Sequence, residues 1–315
     1  MTSALVRSMR LEASGVLSVV LESFDSEPLE SWLPGAHIDL SVTDDSSRQY
    51  SLCGSPADTE QYRVAVLREP DGRGGSEYVH GTLRVGDIVK IGGPRNHFTL
   101  EGAPGYLFVA GGIGITPLLP MIVAAEGSGI PWHLVYYGSS RGTMAFLGEL
   151  EPFGDRVTVV AKDESGGALA VADVVAGLGV DDLLYLCGPS RLSDAVRAEA
   201  DRLGCADRLR VELFAAPERA DAAEQPTGAF TVHLLESELQ LDVPADRSIL
   251  DVVREAGIDV LHDCGEGICG SCETKVLAGT PEHRDYVLTE SEKSANDCMM
   301  ICVSRSRCPI LELSL

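Results

Sequence analysis

The stretch "DCGEGICGSC" at residues 263–272 holds three cysteines, Cys264, Cys269 and Cys272. A fourth cysteine, Cys302, follows Cys272 after 29 intervening residues. The C-x4-C-x2-C…C spacing is typical of a plant-type [2Fe–2S] site, in which four thiolates hold two irons. A structural zinc site usually combines a C-x2-C pair with a second close pair, whereas the last cysteine here stands alone. The spacing therefore predicts an iron–sulfur cluster.

The glycines between these cysteines support this prediction. They allow the backbone to curl closely and to direct amide groups at the cluster sulfurs. The spacing alone leaves the fourth ligand open, because Cys298 and Cys308 lie near Cys302 in the sequence.

The composition restricts the class of protein. The 315 residues suffice for two or three domains. The formal net charge of −23 argues against a nucleic-acid partner, while it permits docking on a basic protein surface or serves solubility alone. Neither a membrane span nor a signal peptide is predicted, so we expect no membrane partner and a cytoplasmic location. In that compartment the nine cysteines should not form a disulfide framework.

Three patterns follow one another along the chain, and they predict a multidomain fold. Residues 1–102 contain short apolar or alternating runs broken by Gly, Pro and Asp, which predicts an antiparallel β-barrel or sandwich. Residues 103–222 alternate apolar strands with helical stretches, which predicts an α/β domain with a parallel sheet. After a linker at 223–228, residues 229–315 begin with two strands and a helix, which predicts a small α+β domain around the cysteines.

Two segments of the barrel region carry residues suited to a phosphorylated aromatic cofactor. In "RQYSLCG", Arg48, Tyr50 and Ser51 would supply a phosphate partner, an aromatic contact and a hydrogen bond, although a plain strand with a surface arginine has the same pattern. The Gly-Gly-Ser sequence at 74–76 would form an anion-binding nest before a short helix, or an ordinary turn.

Two turns of the α/β region follow predicted buried strands. "YLFVAGGIGITPLL" (106–119) lets a pyrophosphate approach a helix that begins at Thr116-Pro117, although a glycine-rich turn alone is a weak signal. "LYLCGPS" (184–190) places Cys187 at the carboxyl edge, where open α/β sheets bind ligands; a small core residue fits there as well. Arg141 would hold the 2′-phosphate of NADP, contact the pyrophosphate or begin a helix.

Together these segments resemble the ferredoxin–NADP reductase superfamily, and their order along the chain resembles its phthalate dioxygenase reductase branch. The shared motifs are the R-x-Y-S strand, the compact G-G-S loop, the G-G-x-G-x-T-P turn, the C-G-P turn and the ferredoxin spacing that ends in "ICVSR". The resemblance implies FMN rather than FAD, because FAD members have a longer loop for the adenine. It also implies that Cys302 is the fourth cluster ligand, and that the last domain is a β-grasp ferredoxin.

The resemblance assigns a role to each candidate residue. It implies FMN binding by Arg48, Gln49, Tyr50, Ser51, Ala65, Val66, Leu67, Gly74, Gly75 and Ser76. It implies nucleotide binding by Gly111, Gly112, Gly114, Thr116, Pro117, Ser140, Arg141, Cys187, Gly188, Pro189 and Phe214. Cys187, Thr116 and Ser51 form the candidate catalytic set, with the Cys187 thiol beside the nicotinamide. Phe214 faces the flavin or nicotinamide, or packs in a core. NADH is favoured, as in most members of the branch, and NADPH is the alternative.

The implied function is the reductase component of a two-component oxygenase. NAD(P)H gives up two electrons as a hydride, whereas a [2Fe–2S] cluster accepts one electron at a time. A flavin between them can accept the two electrons together and pass them on singly. The expected acceptor is a Rieske-type terminal oxygenase. It would dock near the cluster, where residues 228–315 carry 16 acidic and 7 basic side chains. The alternatives are an electron donor to a cytochrome P450 and, in another class, a non-catalytic iron–sulfur binding or sensor module.

Overall fold

The chain forms two compact units, Met1–Glu212 and Leu213–Leu315. The computed structural model describes residues 1–25, 27–43, 46–70, 72, 74–164, 169–214, 228–262, 264–288 and 290–315. The predicted linker at 223–228 lies outside the described residues except for Gly228, and the predicted domain boundaries stay predictions. None of the described helices has the length and apolarity that a membrane crossing requires.

Six antiparallel strands build the N-terminal part of the first unit. They are β1 (Thr2–Ala13), β2 (Val16–Ser23), β3 (His37–Thr43), β4 (Ser46–Ser51), β5 (Gln61–Leu67) and β6 (Ile88–Arg95), with helix α1 (Gly75–Gly81) before β6. The strand order β4-β3-β6-β1-β2-β5 leaves β4 and β5 at the two edges. A bridge between Leu52 and Val64 joins those edges, so the sheet closes on itself. The predicted antiparallel barrel is confirmed.

The barrel core follows from the alternation of side chains along the strands. Val19, Leu21, Ile38, Leu40 and Val64 are fully buried and belong to one cluster. Burial of each such side chain contributes about 1.5–3 kcal/mol relative to exposure. The packed interior gives β4 and β5 a rigid support for the residues at their ends.

Strand β1 is absent from the sequence predictions. Only Ala4 and Val6 of its residues are buried, so its apolar pattern is weak. Pairing with β2 on one side and β6 on the other holds it in the sheet. Tertiary pairing therefore outweighs local pattern here.

Five parallel strands build the rest of the first unit. They are β7 (Tyr106–Gly111), β8 (Trp132–Gly138), β9 (Val157–Ala161), β10 (Leu183–Cys187) and β11 (Leu209–Glu212), in the order β11-β10-β7-β8-β9. The helices are α2 (Ile115–Ser128), α3 (Leu147–Leu150), α4 (Val171–Ala176) and α5 (Ser190–Leu203). The strand order reverses between β7 and β10, and such a switch point opens a crevice at the carboxyl ends of the strands. The predicted α/β domain is confirmed.

Two helix predictions in this region need correction. Helix α2 begins at Ile115, one residue before the predicted start. The stretch "TMAFLGELEPFG" (143–154) is one of the helical stretches predicted between the strands of residues 103–222, but it forms only the four residues of α3 and 3₁₀ turns. Pro152 and the positive φ of Gly154 interrupt the helical backbone.

The second unit is a small mixed sheet with one principal helix. Its strands are β12 (Phe230–Leu234), β13 (Leu239–Val243), β14 (Glu273–Ala278), β15 (Pro281–Glu282), β16 (Cys298–Met300), β17 (Arg305–Ser306) and β18 (Ile310–Leu313), with helices α6 (Ile249–Glu255) and α7 (Glu290–Ala295). The main sheet has the order β13-β12-β18-β14-β16, and β12 pairs with β18 in parallel. Ser248 caps the N-terminus of α6 and forms a capping box with Asp251. The predicted α+β, β-grasp domain is confirmed.

Candidate active site and iron–sulfur centre

The four predicted cluster ligands meet in the second unit. Cys264 interacts with Cys269 and Cys302, and Cys302 interacts with Cys272. The amide of Ile301 donates to the Cys272 carbonyl at 3.4 Å. Cys272 directly precedes β14 and Cys302 follows β16, and these strands pair with Glu273 opposite Met300. The strand pairing therefore brings together two thiols that are far apart in the sequence.

The four thiols lie close enough to influence one another's protonation. Interaction with Cys269 and Cys302 lowers the pKa of Cys264. The same interactions raise the pKa of Cys269 and Cys302. The amide of Glu266 also donates to Cys264 Sγ at 3.3 Å. An amide directed at a cysteine sulfur is the kind of donor that a cluster-binding loop supplies.

The two alternative ligands have other surroundings. Cys308 Sγ accepts the amide of Thr280 at 3.2 Å and lies 3.3 Å from Ser306 Oγ. Cys298 begins β16, opposite Lys275. Within the described ranges, no three His, Cys, Asp or Glu side chains form a single-ion site. A binuclear cluster does not require three side chains around a single ion, because each iron takes two thiolates.

The predicted FMN phosphate site brings Arg48 to the turn before α1. Gly74 precedes the helix with φ 83°, a conformation that favours glycine. A Cβ on Gly75 would lie 2.4 Å from Arg48 Cγ and 3.2 Å from Arg48 Nε. Only glycine leaves room for the arginine stem at this position. A guanidinium beside the backbone amides of 74–76 fits a phosphate.

The four residues of the R-x-Y-S motif divide between the two faces of β4. Arg48 pairs with Leu40 and Tyr50 with Ile38, so Arg48 and Tyr50 share one face. Gln49 and Ser51 lie on the opposite face by strand alternation. Burial raises the pKa of Tyr50 to about 12, and its half-buried ring packs against the barrel core. The flavin contacts of Gln49 and Ser51 stay predictions.

Hydrogen bonds hold the end of β5 beside α1. Ser76 Oγ accepts the amide of Glu69 at 3.0 Å and donates to the Glu69 carbonyl at 3.2 Å. The ring Nε2 of His80 lies 2.9 Å from the carbonyl of Val66, so that carbonyl already has a protein partner. Ala65 and Val66 are buried and Leu67 is half-buried. Contacts from these residues to the isoalloxazine edge stay predictions.

The two glycine turns of the α/β domain pack against each other at the switch point. Ala110 pairs with Cys187 across β7 and β10. A Cβ on Gly114 would lie 2.2 Å from the Cys187 carbonyl oxygen, and one on Gly111 would lie 2.7 Å from Pro189 Cδ. A Cβ on Gly188 would lie 3.1 Å from Gly111 Cα. The backbones therefore approach closely and form the floor of the crevice in which the pyrophosphate and nicotinamide are predicted to bind.

Other predicted nucleotide residues have more specific surroundings. Gly112 has φ 55°. Thr116, followed by Pro117, is buried and donates from Oγ1 to the Ile113 carbonyl at 2.9 Å, so its hydroxyl proton is engaged within the turn. Ser140 forms a capping box with Thr143. Phe214 follows β11 and is 43% exposed. The roles of these residues stay predictions.

Glu212 is a candidate that the sequence predictions missed. It ends β11 opposite Cys187, and its Oε2 lies 4.0 Å from Cys187 Sγ. Burial raises the pKa of Glu212 to about 8. Burial, and then the Glu212 carboxylate, raise the pKa of Cys187 well above its usual value. Glu212 is half-buried by its exposed surface. A carboxyl group with a raised pKa at the crevice is a functional candidate, and "VELFAAP" gives no sequence signal for it.

This pKa leads to a testable pH dependence. Glu212 is neutral below about pH 8 and ionised above it. Hydride donation leaves a positive charge on the nicotinamide, which a nearby carboxylate favours, so flavin reduction should accelerate about threefold to tenfold as the pH rises through 8. Glu212→Gln should remove that rise in stopped-flow traces with NADH. The exposed Glu151→Gln variant is the control, and a rise that persists in Glu212→Gln contradicts the assignment.

Comparisons with known proteins agree with this geometry. The profile of the 2Fe-2S iron-sulfur cluster binding domain matches residues 232–307. The chain is 42% identical over 311 residues to the phenoxybenzoate dioxygenase subunit beta of Ectopseudomonas oleovorans, covering 98% of this chain and 96% of the relative. It is 38% identical over 320 residues to the vanillate O-demethylase oxidoreductase of Pseudomonas putida, covering 100% of both.

Two solved structures resemble the chain over almost its whole length. Phthalate dioxygenase reductase has a TM-score of 0.70 and 33% identity, covering 99% of this chain and 97% of that one. An intact type IV self-sufficient cytochrome P450 monooxygenase has a TM-score of 0.88 and 39% identity. The match covers all of this chain but only 41% of that P450.

The barrel, the nucleotide crevice and the four-thiol centre together define an NAD(P)H-dependent flavin and iron–sulfur oxidoreductase. The chain belongs to the phthalate dioxygenase reductase-like family. It is the reductase component of an oxygenase system, with FMN, a [2Fe–2S] cluster and a nicotinamide nucleotide as its cofactors.

Proposed function

We propose that this chain delivers single electrons to a separate Rieske-type oxygenase that holds the organic substrate. The supporting observation is the end-to-end similarity to a dioxygenase subunit and an O-demethylase oxidoreductase of nearly the same length. The energetics agree, because plant-type clusters have potentials near about −400 mV, while Rieske centres lie at about −150 to +300 mV. Electron flow to such an acceptor is downhill.

The residues of the chain would bind and orient the carriers. Arg48 and the turn at 74–76 would hold the FMN phosphate, and the glycine turn at 111–114 would receive the nucleotide pyrophosphate. When bound, FMN accepts the two electrons of a hydride and releases them singly. The acidic ferredoxin unit would present its cluster to a basic docking face. We propose the cytoplasm as the location, because a reducing compartment keeps the ligand thiols reduced.

A cytochrome P450 is the second candidate acceptor. The observation in its favour is the TM-score of 0.88 with the self-sufficient P450 monooxygenase, in which a reductase-like segment and a P450 share one chain. A haem would accept the same single electrons, so the two candidates differ only in the partner.

The test combines a spectrum with reconstitution. NADH is titrated anaerobically into the holoprotein, and the expected result is flavin bleaching followed by partial loss of the iron–sulfur band. A Rieske oxygenase and a P450, both purified from the source organism, are then added separately under the same conditions. Faster reduction of the Rieske centre supports the proposal. Reduction of the P450 haem alone overturns it in favour of the second candidate.

Nucleotide preference should depend on Glu164. Arg141, the candidate 2′-phosphate ligand, forms an ion pair with Glu164 at 2.8 Å, and both side chains are 53% exposed. Glu164 thus pairs with the guanidinium of Arg141, and its negative charge repels a 2′-phosphate. This favours binding of NADH over NADPH. Glu164→Lys should raise the ratio of kcat/KM for NADPH over NADH about tenfold, since one charge-assisted hydrogen bond is worth about 1.5 kcal/mol or more. Glu199→Gln, which breaks the exposed Arg202 pair, is the control. An unchanged ratio in Glu164→Lys would show that the 2′ position of the nucleotide ribose does not lie beside Arg141.

A further inference from the structure

A short segment after β15 packs against the loop that carries the cluster ligands. The amide of Tyr286 donates to the Gly267 carbonyl at 2.9 Å. Gly267 lies between Cys264 and Cys269 and has φ 72°. A Cβ on it would lie 3.2 Å from Asp285 Cα. The segment around Asp285 is therefore in backbone contact with the cluster loop.

The side chain of Asp285 is fully buried, with 0% exposure. Its Oδ2 accepts the amides of Val287 at 3.2 Å and Leu288 at 2.8 Å, which fixes the turn that follows Tyr286. Its Oδ1 has no hydrogen-bond partner among the residues that the structure describes. A buried carboxylate oxygen without a partner is costly, so a compensating group should face it.

The group that faces Oδ1 is the ring of His283. Its Nδ1 lies 3.8 Å from Asp285 Oδ1, and the imidazole is 8% exposed. The other ring nitrogen, Nε2, lies 3.2 Å from Asn296 Oδ1. Asn296 Nδ2 donates to the Ser294 carbonyl at 3.2 Å, and this bond sets the orientation of the amide. Nε2 must therefore carry a proton, because it faces an acceptor.

This orientation leaves Nδ1 of His283 facing Oδ1 of Asp285 at 3.8 Å. If the imidazole were neutral, its bare Nδ1 would face the bare Oδ1 of Asp285, and two buried acceptors would repel each other. A proton between Nδ1 and Oδ1 would remove that repulsion. Nδ1 has no hydrogen-bond partner among the described residues. The neighbouring Arg284 and Glu282 side chains form their own ion pair at 2.7 Å.

We propose that His283 and Asp285 form a buried charge pair that positions the cluster loop and sets the reduction potential of the cluster. Asp285 lowers the potential and His283 raises it. Reduction adds an electron to a site that already carries four thiolates, so a buried negative charge opposes it and a buried positive charge favours it. Water and salt screen buried charges only weakly. The proposal rests on cluster binding by this chain and not on the identity of its acceptor.

The test is a potentiometric titration of the holoprotein with chemical mediators, followed by electron paramagnetic resonance. Asp285→Asn keeps an oxygen for the two amides and removes the charge, so the potential should rise. His283→Gln keeps a donor for Asn296 and removes the opposite charge, so the potential should fall. Each shift should change the one-electron equilibrium constant about threefold to tenfold, where tenfold equals 59 mV. The double variant should return close to the wild-type potential.

The outcomes distinguish an effect of charge on the reduction potential from an effect of damage to the fold. Asp259→Asn makes the same chemical change at an exposed site of the same unit and should leave the potential nearly unchanged. Shifts of the same sign in both single variants, or no shift in His283→Gln, overturn the proposal, because damage to the fold does not reverse sign. The titration uses neither NADH nor an oxygenase, so its failure is distinct from failure of the proposed function.

Discussion

Replacing Cys302 with alanine should abolish the iron–sulfur band and lower NADH-driven cytochrome c reduction at least about 100-fold. Even outer partners of metal ligands change metal affinity by about 10–100-fold, and Cys302 is joined directly to Cys264 and Cys272. NADH-driven ferricyanide reduction should remain, since the barrel and nucleotide crevice belong to the first unit. The measurements are iron content, the visible spectrum and the two reductase assays.

Cys298→Ala is the matched control for this experiment. Cys298 begins β16, the short strand that precedes Cys302, and its partner across the sheet is Lys275. The control variant should keep the cluster and both activities. Retention of the full cluster in Cys302→Ala, together with its loss in Cys298→Ala or Cys308→Ala, would show that the fourth ligand has been assigned wrongly.

The second large effect is expected at the switch point of the parallel sheet. A Cβ at Gly114 would lie 2.2 Å from the Cys187 carbonyl oxygen and 2.8 Å from the Gly188 nitrogen. Gly114→Ala must therefore push the two turns apart where the nucleotide is predicted to bind. Because a displacement of about 1 Å can cost about 100-fold in rate, kcat/KM for NADH should fall by that order. FMN and cluster content should stay unchanged.

Gly127→Ala is the control for the switch-point variant. Gly127 lies on helix α2, which follows Gly114, and it is exposed; a Cβ added to it would have no neighbouring atom within 4 Å. Alanine there should stabilise the helix by about 0.5–1 kcal/mol and leave NADH turnover intact. Reduction by dithionite should proceed equally in both variants. Wild-type kcat/KM in Gly114→Ala would mean that NADH binds away from this crevice.

Local sequence carries much of this protein's organisation. The spacing of Cys264, Cys269 and Cys272 specifies a cluster because thiolates within one loop must converge on two irons. Alternation along β2, β3 and β5 and the helical period of α5 specify their elements, because each pattern buries one face. The glycines of both nucleotide turns mark close backbone approach, and the order of the motifs identifies the family.

Contacts between distant segments supply the rest. The pairing of β14 with β16, extended by the bond from the Ile301 amide to the Cys272 carbonyl, brings Cys302 near Cys272. Pairing on both sides makes β1 a strand despite its weak pattern. The carboxylate of Glu212 faces Cys187, Glu164 engages Arg141, and Asp285 faces His283. In each case the effect depends on a neighbour on another strand or loop, and the local sequence does not encode that neighbour.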